Sequence, residues 1–187
     1  FSAQARQAWM NGSDTAQSAN ALVASFSEVL TAEASWLRFN REEKSGLLAA
    51  AKQTVPYLSD ARKPLAQARL ALRANDPNAE SLLSTLSAAD AADPLLILDH
   101  ARWLRNAQRY DEAIQLWNGP AAAAEAQTSL ALFWRERDAL ARELLQNNRS
   151  TEAFLVANDT VVSGANKLDA QFLSGWIALE QQQDPAK

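Results

Sequence analysis

The chain has no cysteine and only one histidine in 187 residues. It therefore has no disulfide, no thiolate nucleophile and no sulfur-ligated metal, and its one imidazole has no second histidine with which to share an ion. Glycine and proline are scarce as well, at five and six residues. No glycine-rich loop is present to cradle a phosphate, and no serine stands in a G-x-S-x-G setting, so the sequence calls for no cofactor. Nothing approaches the roughly 18 consecutive apolar residues that a transmembrane segment requires. Net charge is −4 with both signs interspersed, which leaves no basic footprint for nucleic acid. The chain opens at Phe1 without an initiator methionine, as expected of a sequence whose leader has been removed or trimmed.

What the chain does have is alanine and helical periodicity. Hydrophobic residues make up 48% of it, much of that alanine, and alternating β-branched runs are missing, so helix is expected almost throughout. The stretch 93–117 states the theme. Asp93 can cap a helix with Pro94 in its first position, where a missing N–H costs little. Leu96, His100, Trp103 and Leu104 share one stripe at 3.6-residue spacing. The pattern stops around 106–109, and a second helix starting near Asp111 presents Ala113, Ile114 and Trp117. A small residue opposite large ones lets antiparallel helices approach closely, which makes this an αα-hairpin of the kind that stacks into solenoids.

The remaining segments repeat the theme. A first helix over 2–10 is halted by Asn11-Gly12, and Ser13 or Asp14 caps a second carrying Leu22, Val23, Phe26, Val29 and Leu30. Trp36, Leu37 and Phe39 form a short apolar patch before a helix from Arg41 through Leu47, Leu48 and Ala51. Pro56 ends that pattern. Leu65, Ala68 and Leu72 mark the next inner face, Asn75-Asp76-Pro77 a turn, and 79–86 a short helix. After the Asn118-Gly119-Pro120 breaker, 121–126 reads as a loop or frayed turn. The longest helix follows over 128–147, with Leu132, Phe133, Leu140, Leu144 and Leu145 inward. Ser150 caps 151–161, Gly164 breaks the chain again, and 170–181 is the last helix, with Phe172, Trp176 and Leu179. The expectation is an all-α fold: a single superhelical or solenoid domain over 1–187, with about ten short helices in tetratricopeptide-like hairpins of irregular period.

Candidate chemistry is sparse. His100 lies on an apolar stripe, where an interior hydrogen-bonded role suits it better than acid–base work. Asp90 and Asp93 flank a helix start, where anionic caps belong, and Asp138 forms an ordinary helix-face pair with Arg142. Of the other paired carboxylate, Glu136/Asp138, the spacing says no more. The Asn-x-Ser triplets at Asn11 and Asn148 read as helix stops. Six tryptophans are spread through the chain and are expected to fill gaps in an alanine-rich packing. Trp134 stands apart because Phe133 is its neighbour, and both rings are not expected to point inward. Sugar rings stack on exposed indoles, so Trp134, Arg135 and Arg142 are the candidate glycan contacts.

Three segments resemble the helical region of the soluble lytic murein transglycosylases. They are Asp93-Pro94-Leu95-Leu96 leading into Arg102-Trp103-Leu104-Arg105 and Asp111-Glu112-Ala113; Phe133-Trp134-Arg135-Glu136-Arg137 with Leu140-Ala141-Arg142-Glu143-Leu144-Leu145 and Ala153-Phe154-Leu155-Val156-Ala157; and Phe172-Leu173-Ser174-Gly175-Trp176-Ile177-Ala178-Leu179. The likeness is strongest over 60–180. It implies a periplasmic enzyme of bacterial cell-wall turnover that cleaves peptidoglycan with a 1,6-anhydro product. In that family a C-terminal lysozyme-like domain does the chemistry through one glutamate, and the helical superhelix holds the glycan strand. The E-S-x-F and G-L-M-Q catalytic motifs are absent here, so no catalytic residue carries over. Glu180 stands where the family usually has arginine, opening the polar run Glu180-Gln181-Gln182-Gln183-Asp184. The resemblance implies a non-catalytic, periplasmic module, inactive alone, whose partners are peptidoglycan glycan strands and other cell-wall proteins. The alternative is a stand-alone tetratricopeptide-like adaptor for a protein or peptide.

Overall fold

Small oxygen-bearing side chains start several of the helices, because they satisfy amide N–H groups that a first turn leaves unpaired. In the computed structural model, which describes residues 1–12, 15–128 and 131–181, Thr15 accepts from Ser18 N–H at 3.3 Å and Thr31 from Ala34 N–H at 3.1 Å. Asp93 accepts from the N–H groups of both Leu95 and Leu96 at 3.0 Å, as its sequence position predicts. The expected caps Ser13 and Asp14 lie outside the described residues; Thr15 takes that role. Ser150 proves to be the first helical residue, not the cap.

Among the described residues there are thirteen α-helices and no strand, and 78% of those residues are helical, so the fold is all-α. Its contacts group into two compact units, Phe1–Ser87 and Ala88–Lys187. The first unit contains α1 (Ser2–Asn11), α2 (Ala16–Phe26), α3 (Ala32–Lys44), α4 (Leu48–Thr54), α5 (Lys63–Arg73) and α6 (Ala79–Leu83), with short 3-10 turns at Ser27–Val29 and Val55–Tyr57. Helix α1 packs on α2 and α3, α3 on α4, α4 on α5, and α5 on α6. Trp9, Ala19 and Ala34 form a core with Met10, Leu22, Val23 and Leu30 packed against it.

The second unit contains α7 (Ala88–Ala91), α8 (Pro94–Asn106), α9 (Tyr110–Trp117), α10 (Pro120–Thr128), α11 (Ala131–Gln146), α12 (Ser150–Asn158) and α13 (Ala165–Trp176), which continues as a π-helical turn, Ile177–Gln181. Here α11 touches α8, α12 and α13. A helix packed on several sides buries a wide arc, and residues one step apart on it can both be interior. Phe133 and Trp134 are both buried, at 0% and 4% exposure, which corrects the expectation that only one could be.

One joint recurs. Gly46, Asn75, Gln108 and Asn148 all have positive φ, between 54° and 77°. After each, the next N–H reaches back five residues: Leu47 to Glu42 at 2.8 Å, Asp76 to Ala71 at 3.0 Å, Arg109 to Leu104 and Arg149 to Leu144 at 2.9 Å. This is the left-handed closure that satisfies the last carbonyls of a helix. The four joints link α3 to α4, α5 to α6, α8 to α9 and α11 to α12, and each pair packs together. In each, the second helix begins around a fully buried alanine, Ala51, Ala79, Ala113 or Ala153. The hairpin theme read at 93–117 is therefore structural and recurrent, at unequal intervals.

Several boundaries differ from expectation. Trp36 and Phe39 lie within α3, and Gly46 interrupts the expected helix from Arg41 to Ala51. The alanines after Pro120 form α10, not a loop, since proline at the first helical position and an alanine run both favour helix. Helix α12 ends at Asn158 and α13 begins at Ala165. Ser129 and Leu130, expected in the longest helix, and 182–184 of the polar run lie outside the described residues.

Candidate functional site

Most interior charge in both units is committed to pairs. In the first unit Arg38 lies 4.3 Å over the Trp9 ring, donates to the Trp9 carbonyl at 2.8 Å and pairs with Glu42 at 2.6 Å. Thr54 donates to the same carboxylate at 2.7 Å. Beside it Arg69 pairs with Glu43 and donates to Asn40 Oδ1 at 2.6 Å, and Arg73 lies 3.3 Å from Glu43.

In the second unit Arg137 lies 4.4 Å over Trp117, donates to Glu125 at 2.8 Å and to the Val156 carbonyl at 2.9 Å. Thr160 donates to Glu125 at 2.6 Å. Burial lowers the Arg137 guanidinium below its ordinary value, and Glu125 offsets only part of that. A second cluster joins α8 to α11. Arg105 bridges Glu136 at 2.6 Å and Glu143 at 2.5 Å, Arg102 lies 3.6 Å from Glu136, and Tyr110 donates to Glu143 at 3.2 Å. Burial raises the Glu136 carboxyl against the opposing pull of the arginines, and burial together with the Glu143 carboxylate raises the Tyr110 phenol. Glu136 is thus part of a structural ion-pair cluster. Groups held this way hold helices together. No group of three His, Asp or Glu side chains able to hold a metal ion occurs among the described residues.

The predicted glycan contacts differ in exposure. Trp134 is buried, so it offers no open indole face. Arg135 is exposed. Arg142, also exposed, pairs with Asp138 at 2.9 Å as the i,i+4 spacing implies. His100 is half-buried, with its ring 6.1 Å from that of Trp103. Trp9, Trp36, Trp103 and Trp117 are also buried, in keeping with a packing role, while Trp176 is exposed.

Two features were missed from sequence. One is an apolar stripe along α13 and its π-helical extension: Leu168, Phe172, Trp176 and Leu179 face outward, Phe172 at 75% exposure, while Ala170, Leu173, Ile177 and Ala178 are buried. The stripe follows i, i+4 and i, i+3 spacing, so periodicity reveals it but does not say which apolar face is inside.

The other is a cleft of about 370 Å3 in the first unit, bordered by α2, α4 and the turn Val55–Tyr57. Ala16, Ala19, Asn20, Ala50, Gln53 and Tyr57 line it, with the buried Trp9, Arg38 and Thr54 at its inner end. The Tyr57 ring meets Trp9 edge-on at 5.4 Å. An apolar wall with a few polar groups is the usual make-up of a small-molecule site. Gln53, Thr54 and Tyr57 are close in sequence, but Trp9, Ala16, Asn20 and Arg38 come from other helices, so no motif announces the set. No family model, no curated protein and no solved structure matches this chain.

Proposed function

We propose that this chain is a non-catalytic helical module that holds peptidoglycan glycan strands in the periplasm, for cleavage by a catalytic domain of the lytic transglycosylase type. One observation carries the reading: the segments that resemble the helical region of that family fold as α8–α9, α11–α12 and α13, the first two as hairpins closed by the same left-handed joint. The commitment of its interior carboxylates to arginine supports a holding role, not a cleaving one. The test is co-sedimentation of the purified chain with isolated sacculi, followed by chromatography of the supernatant. Binding without soluble anhydro-muropeptides is the expected result. Release of such products refutes the non-catalytic reading, and failure to sediment refutes strand holding.

The exposed stripe on α13 favours the second reading, an adaptor that takes a protein or peptide partner on an apolar face. Substituting Phe172→Asp separates the two: it removes partner binding by an adaptor and leaves sacculus binding by a glycan module intact.

A further inference from the structure

We propose that the cleft between α2, α4 and the turn Val55–Tyr57 is a binding site for an uncharged N-acetylated saccharide; the assignment rests on the glycan-holding reading above and gives it a location. The lining carries several neutral polar side chains. Asn20 and Gln53, which bear side-chain amides, and Tyr57, which bears a phenol, are among the lining residues, and all three are exposed. Each is neutral and both gives and accepts hydrogen bonds, so together they match hydroxyl and acetamido groups and not an ion. The charge in the lining is already neutralised: the buried Arg38 is turned onto Glu42 and the Trp9 carbonyl.

The rest of the wall fits the same ligand class. Ala16, Ala19 and Ala50 contribute only methyl groups, a surface suited to the methyl of an acetamido arm. Tyr57 adds a partly exposed ring, braced edge-on by Trp9, against which the C–H face of a sugar can lie. At about 370 Å3 the cleft suits a short saccharide end and not an extended strand.

Titrating the 15N-labelled full chain with triacetylchitotriose, with maltotriose as the sugar lacking acetamido groups, tests this. Saturable shifts are expected at the Asn20 and Gln53 side-chain amides. They are also expected at the Trp9 indole N–H, which donates to Ser35 at 3.2 Å and so reports on the inner wall. Asn20→Ala and Gln53→Ala remove exposed side chains and leave the core untouched; each is expected to weaken binding about three- to tenfold. Tyr57→Phe, which keeps the ring against Trp9, is expected to weaken it by a similar factor. Absence of saturable shifts, shifts confined to another region, or unchanged affinity in all three variants overturns the assignment. Equal binding of maltotriose overturns its acetamido part. Sacculus co-sedimentation separates this from the broader reading. If wild type and variants sediment alike and no shifts occur at the cleft, the cleft is wrong and strand holding stands. If shifts cluster at the cleft while the chain fails to sediment, the saccharide site stands and strand holding falls.

Discussion

The two units solve one packing problem with the same parts taken from different places. Each buries an arginine over a tryptophan, pairs it with a buried glutamate, gives it a main-chain carbonyl and has a threonine donate to that glutamate. In Phe1–Ser87 the arginine and glutamate are Arg38 and Glu42, one turn apart on α3. In Ala88–Lys187 they are Arg137 on α11 and Glu125 on α10, with the carbonyl supplied by Val156 on α12. The first arrangement ties α1, α3 and α4 together, and the second α9, α10, α11 and α12. A guanidinium has five donors, so burying it takes several acceptors. Spacing alone says little about this: Arg38–Glu42 and Asp138–Arg142 are both i,i+4 pairs, yet the first is fully buried and the second lies on the surface.

The sharpest way to break the comparison is to remove each arginine. Arg137→Met leaves Glu125 buried with only Thr160, and a loss of about 3–5 kcal/mol is expected from the uncompensated charge. Arg38→Met should cost less, because Arg41, 3.9 Å from Glu42 and partly exposed, can take over some of the pairing. Urea unfolding of both variants measures this; equal losses show that the Arg41 contact contributes nothing. Adding Glu125→Leu to Arg137→Met should recover most of the loss, since replacing both partners removes the stranded charge.

The tryptophans provide a smaller test. Trp9 donates to Ser35 at 3.2 Å, whereas Trp117 Nε1 meets no acceptor among the described residues. Ser35→Ala strands the Trp9 N–H and is expected to cost about 1–3 kcal/mol. Trp9→Phe should exceed Trp117→Phe by about 1 kcal/mol, the net worth of one hydrogen bond. A larger loss at Trp117, read from thermal unfolding, shows that ring size outweighs the N–H.

Much of the fold was legible because it rests on local signals. Asp93-Pro94 announces a helix start, Asn148 a stop, and tryptophans among alanines announce a core. The Glu136 and Arg137 interior was not legible, because a charged pair on a helix reads as a solvated face until the neighbours on each side are known. The same ignorance misled the reading of Phe133–Trp134 and concealed the outward turn of Phe172 and Trp176. Of the candidate site, the exposed Arg135 and Arg142 were in plain view, but the cleft at Asn20, Gln53 and Tyr57 was not. Only folding brings α2 to α4 and the turn that follows it.

The recurring joint gives the finest comparison. All four joints need a left-handed residue, but they fill it differently: glycine at 46, asparagine at 75 and 148, glutamine at 108. Glycine adopts that region without strain, asparagine tolerates it, and glutamine carries the crowding of its Cβ, offset only by a side-chain hydrogen bond with the Tyr110 phenol. Gly46→Ala, at φ 77°, should therefore destabilise the first unit by about 1 kcal/mol, although the nearest neighbour of an added Cβ, Arg73, is no closer than 3.9 Å. Steric clash is then not the cause; backbone strain is. Gln108→Gly should stabilise the second unit by about 0.5–1 kcal/mol, and Asn148→Gly by less. The gain at 108 is the net of relieved strain, the lost contact with Tyr110 and the greater freedom that glycine gives the unfolded chain, which is why it stays small. If Gln108→Gly lowers the unfolding midpoint instead, the glutamine side chain stabilises the α8–α9 hairpin, and the four joints differ in energetics despite sharing one geometry.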